Sequence, residues 1–140
     1  MGHITETAMK QISEAFGRRL KDSGVTRIQW IALYYIHTKA VVSQRELSNL
    51  MNVQDSSGGR LLDRLERDGF VLRRQSELDR RVTVISLTEA GEQLITSLLP
   101  LGNQFNDDLS EGISESDLMI FEKVLTKMIA NISEEDTLEL

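Results

Sequence analysis

A chain of 140 residues that is 40% hydrophobic and 27% charged, with one proline and a net charge of −6, has material for one core and falls outside the disordered and collagen-like classes. It has no cysteine, which excludes disulfides, thiolate nucleophiles and sulfur-ligated zinc, and its two histidines, His3 and His37, lack the spacing of a helical metal pair, so neither metal nor cofactor is expected. No apolar run reaches membrane-spanning length and no basic-then-apolar leader opens the chain, so no membrane partner is expected and the cytoplasm is the default location.

Taken in chain order, Ile4, Ala8, Ile12, Ala15, Phe16 and Leu20 recur at helical spacing and predict a first helix, closed by "DSGVT" with Gly24 as its C-cap. Thr26 caps a second helix, "RIQWIALYYIHTK", apolar around much of its circumference and therefore buried on more than one side. Ser43 with Glu46 three residues on predicts a capping box and a short third helix. "DSSGGRLLDRLERDGF" predicts a fourth helix ending at Gly69, with Leu61, Leu62 and Leu65 facing the core. At 100° per residue, Ser56, Arg60, Arg64 and Arg67 gather on a separate face about 80° wide. "FVLRR" and "VTVISLT" flank "QSELDR" as a two-stranded ribbon and its loop. Thr88 then caps a long helix through about Asp108, with Pro100 forcing a kink or break. Ser114 and Asp117 open a last helix striped with Leu118, Phe121, Val124, Leu125, Met128, Ile129 and Ile132, which needs a partner surface.

The expected fold is mostly α with a small β-wing: one domain over 1–140, in which a winged helix-turn-helix lobe occupies about 26–90. Charge follows this order. Residues 1–42 carry 6 basic and 3 acidic side chains, residues 43–90 carry 8 of each, and residues 91–140 carry 2 basic and 11 acidic ones. All eight cations of the middle block are arginine, the side chain suited to bidentate contact with phosphate and guanine.

The segments "QWIALYYI" at 29–36, "SQRELSNLM" at 43–51, "DSSGGRLLDRLERDGFVLRR" at 55–74, "DRR" at 79–81 and "LTEAG" at 87–91 resemble, in order and spacing, the MarR family of bacterial transcriptional regulators. The resemblance implies that the helices at about 3–22 and 89–134 form a dimerisation layer, and that a homodimer presents two recognition helices to a palindromic operator in double-stranded DNA. It makes Ser56, Ser57, Arg60 and Arg64 candidates for contact from the recognition helix, and Arg73, Arg74, Asp79, Arg80 and Arg81 candidates on the wing, with Asp79 orienting Arg81 into the minor groove. It implies a repressor released by a small aromatic or phenolic effector, with Phe16, Arg19, Trp30, Tyr34 and His37 as candidate pocket residues. Gly58 and Gly59 depart from the family, which more often has helix formers there; the pair allows close approach to DNA, lets the helix deform, or is drift.

Each feature also has a plainer reading. Arginine faces on helices are usually solvated and ion-paired, with Asp63–Arg67 or Glu66 available here, and aromatics at helical spacing are usually core. The competing function is a winged-helix module that binds protein without specific DNA binding. An enzyme is not expected: the chain has no nucleophile-elbow sequence, no phosphate-cradling glycine loop and no second histidine suitably placed.

Overall fold

The computed structural model describes the backbone of residues 1–138 and the side chains of residues 1–133, and the chain divides into two compact units, 1–103 and 104 onward. The elements are α1 (Gly2–Arg19), a 3₁₀ turn (Lys21–Ser23), α2 (Arg27–Lys39), β1 (Val41–Ser43), α3 (Gln44–Met51), α4 (Asp55–Arg67), β2 (Val71–Gln75), β3 (Thr83–Leu87), α5 (Glu89–Ser110) and α6 (Glu115–Leu138). All the expected helices are present, and α3 and α4 with the β2–β3 hairpin make the winged helix-turn-helix.

Local chemistry sets the boundaries. Thr26 Oγ1 accepts from the Gln29 N–H while Gln29 Oε1 accepts from the Thr26 N–H, a reciprocal box that closes the start of α2. At α3 only half the expected box forms. Ser43 Oγ accepts from the Glu46 N–H, but the Glu46 carboxylate lies 3.9 Å from Lys39 Nζ instead. Gly24 is left-handed as expected, yet it follows the 3₁₀ turn; α1 itself ends one turn earlier at Leu20. Helix α5 runs through Pro100 rather than breaking there: the proline is exposed, so water can satisfy the Thr96 carbonyl that loses its donor.

The sheet has three strands where the sequence predicted two. Antiparallel order is β1–β3–β2, with Val42 opposite Ile85 and Arg73 opposite Ile85 on the other side. Val42, Ile85 and Val71 enter the core of the first unit, joined by Ala32, Leu33 and Ile36 of α2, Leu47 of α3, and Leu62 and Leu65 of α4. The lobe therefore closes over one apolar centre, to which Ile95 of α5 also contributes. In α1 only Phe16 is buried, and Ile4 and Met9 are exposed.

Within the second unit, α6 leaves Met119, Ile120, Phe121, Val124, Ile129 and Ile132 exposed, each at 49% or more. Ser114 Oγ caps α6 by accepting from the Asp117 N–H, as the sequence predicts.

Candidate nucleic-acid interface

Helix α4 presents Ser56, Ser57, Arg60 and Arg64 on its exposed side while Leu62 and Leu65 are buried on the opposite one. Ser57, Arg60 and Arg64 come together around a hollow of about 220 Å³ that also takes in Ile28, Val53 and Leu61. Neither arginine has an ion-pair partner among the described residues. The N-cap of α4 is Gln54, whose side chain makes no capping bond, so it satisfies none of the first-turn N–H groups. Arg67 is drawn aside to Asp68, at 3.6 Å.

Gly58 is buried, and a Cβ there would stand 2.4 Å from Ser48 Oγ on α3. None of the three sequence readings of the glycine pair anticipates this contact of Gly58 with the neighbouring helix. Gly59 is different: its nearest neighbour would be Gln44 Nε2 at 3.6 Å, ordinary contact distance.

The wing has a fixed root and a projecting tip. At the root, Arg73 donates through Nη2 to Asp63 Oδ1 and, at 3.0 Å, to Glu66 Oε1, both on α4. Its side chain is only 21% exposed. This corrects the placement of Arg73 among the outward wing residues: two carboxylates one helical turn apart hold it against α4. The pairing holds the Glu66 carboxyl below its ordinary value through the Arg73 hydrogen bond, and raises the Arg73 guanidinium, Glu66 being the larger cause. Thr88 adds a second fastening. Its Oγ1 donates to the Gly69 carbonyl and accepts from the Gly91 N–H, and its own N–H donates to the Phe70 carbonyl. Gly91 sits so close that a Cβ would lie 2.0 Å from the Phe70 oxygen.

At the tip, Asp79 Oδ1 accepts from the Arg81 N–H at 3.0 Å and from Arg81 Nε at 3.1 Å, and Oδ2 accepts from Nη2 at 3.2 Å. These bonds hold the Asp79 carboxyl below its ordinary value, the side-chain bond counting most. The Arg81 side chain is nonetheless 90% exposed, so its guanidinium is oriented without being covered. Arg74 and Arg80 are exposed and have no ion-pair partner among the described residues. Asp79 and Arg81 share a hollow of about 500 Å³ with Ser43, Arg45 and Asp55. Arg45, exposed in the first turn of α3, was missed in the sequence; its signal was its membership of the all-arginine block.

The aromatic candidates form a packed cluster. Phe16 meets Trp30 edge-on at 5.0 Å, and Trp30 stacks on Tyr34 at 5.3 Å. Trp30 Nε1 donates to the Leu98 carbonyl at 3.4 Å. His37 Nδ1 lies against the Glu92 carboxylate, and Arg19 is exposed. A larger hollow of about 650 Å³, between α1 and the start of α2, is lined by none of these five residues.

The MarR family model matches residues 23–82, the stretch from the 3₁₀ turn to the end of the wing loop, just short of β3. Among solved structures, the S. aureus MepR–DNA complex is similar at 20% identity, covering 93% of this chain and 96% of that one with a TM-score of 0.84. B. bronchiseptica BpsR, described for the regulation of its DNA binding by 6-hydroxynicotinic acid, is similar at 20% identity, with 91% of each chain covered and a TM-score of 0.82. A MarR crystal structure matches at 25% identity over 96% of this chain and 91% of that one, with a TM-score of 0.74. The helix-turn-helix, β2 and the wing loop thus lie within the stretch that matches the MarR family model, and the chain shares its fold with these winged-helix structures.

Proposed function

We propose that this protein is a homodimeric transcriptional regulator that binds palindromic operators, acting as a repressor released by a small aromatic or phenolic effector. The observation that carries the reading is the pairing, on one unit, of unpartnered Arg60 and Arg64 on α4 with an exposed Arg81 held in place by Asp79. Arg60 and Arg64, with Ser56 and Ser57, suit the major groove, while Arg81 suits the minor groove or its backbone. Because Asp79 already restricts the guanidinium, less side-chain freedom is lost on binding. Arg74, Arg80 and Arg45 add phosphate contacts.

Dimerisation is supported by the exposed apolar stripe of α6, which a soluble monomer rarely leaves open. Two-fold symmetry then requires half-sites with centres about 10 base pairs apart. Effector control is supported by the likeness to BpsR and by the Phe16, Trp30 and Tyr34 cluster. A ligand acts here only through unequal affinity for two lobe spacings.

Selection of bound duplexes from a random pool tests the reading. Enrichment of an inverted repeat with that spacing is expected; retention of all sequences alike would leave a winged-helix protein-binding module as the better account. Titration of salicylate-like compounds, followed through the fluorescence of Trp30, the one tryptophan, tests the effector. A flat response across a broad panel counts against that part alone.

A further inference from the structure

We propose that the turn between α1 and α2 is a further docking site for phosphates of the DNA backbone, on Arg18, Lys21 and Arg27; the proposal rests on the DNA-binding reading above. These three cations line the 650 Å³ hollow together with Glu14. None has an ion-pair partner among the described residues, although the chain holds 22 acidic side chains against 16 basic ones. Three like charges around one concavity repel one another, and no ion pair on their own unit neutralises them. A phosphate oxygen placed in the hollow would.

Position identifies the source of that phosphate. Arg27 is followed directly by Ile28, whose side chain closes the smaller hollow with Ser57, Arg60 and Arg64 of α4. The start of α2 is therefore the flank of the recognition helix. A helix about 10–12 Å across fills a major groove about 12 Å wide, so whatever stands beside it meets the sugar–phosphate wall. The α1–α2 turn would meet that wall where it rises beside the groove. Gly17 and Gly24, also in the lining, both face open space. Glu14 is the opposing charge and weakens the site.

The test compares the full-length wild type with the triple variant Arg18→Gln, Lys21→Gln, Arg27→Gln on a duplex carrying long flanks and on one trimmed at its outer edges. On the long duplex, the slope of log affinity against log salt should fall by about 0.9 for each phosphate no longer engaged, so by about 2 to 3 per protomer, with base preference unchanged. On the trimmed duplex the two proteins should bind alike. Glu14→Gln should shift affinity the other way, tightening binding to the long duplex. Should the triple variant melt early, the single substitutions carry the test, each lowering the slope by about 0.9. An unchanged slope, or an equal loss on both duplexes, overturns the proposal while leaving the DNA-binding reading intact. Wild type that binds no duplex at all overturns both.

Discussion

The root and the tip of the wing each hold an arginine on a carboxylate, and they put it to opposite use. Arg73 at the root is 21% exposed and gripped by two acids from a different element, whereas Arg81 at the tip is 90% exposed and held by one acid two residues away. A distant partner makes an arginine into a fastening, because its energy goes into fixing two elements together. A local partner on an exposed loop fixes only direction and leaves the donors open. Charge count alone does not separate these roles; the sequence distance to the carboxylate does.

Substitutions can break this contrast, and Gly91→Ala should have the largest effect. Its new Cβ would collide with the Phe70 backbone, which has no rotamer to move, so a loss of about 3 kcal/mol in stability is expected by chemical denaturation. A loss under about 0.5 kcal/mol would mean the root is not tightly packed. Arg81→Ala should leave the melting curve in place and lower the salt slope of DNA binding by about 1. An unmoved slope would remove the tip from the interface. Arg73→Ala should do the reverse, costing about 1 kcal/mol in stability with a smaller, indirect loss of affinity.

The two glycines of α4 sharpen the comparison on a finer scale. Gly59→Ala should stabilise by up to about 1 kcal/mol through helix propensity. Gly58→Ala should gain that benefit only in a Ser48→Ala background, because Ser48 Oγ occupies the space and has no hydrogen-bond partner among the described residues. Equal effects of Gly58→Ala in both backgrounds would refute the α3–α4 contact.

The smallest effect is on pH dependence. Since Arg73 holds the Glu66 carboxyl below its ordinary value of 4.5, the pair's contribution is fully present above that value and fades as pH falls through the depressed one. The stability difference between wild type and Arg73→Ala should therefore stay level from neutrality to about pH 5 and shrink on further acidification. A difference that grew with acid would have the wrong sign for this clamp.

What could be read from the sequence was what local spacing decides. Thr26, Ser43, Thr88 and Ser114 stood out as caps because their acceptors serve N–H groups three residues away. The tie between Asp79 and Arg81 is equally local, but it was the family resemblance that pointed to it. Strand β1 was missed because three residues are too few for a period, and the strand that makes it one begins about 40 residues later, at Thr83. Arg73 was misplaced for the same reason: its carboxylates lie on α4, and strand alternation cannot say which helix covers a face. Gly58 is explained only by Ser48, which identified itself neither by pattern nor by charge.

Strand β1 lies between α2 and α3 in sequence and is zipped to β3, the return strand of the wing. Hinging the hairpin independently would mean unzipping that ladder and prising Val42 from its bed. Helix-turn-helix and wing thus travel as a single die-cast part, and any messenger molecule has to steer the whole casting rather than bend one of its prongs.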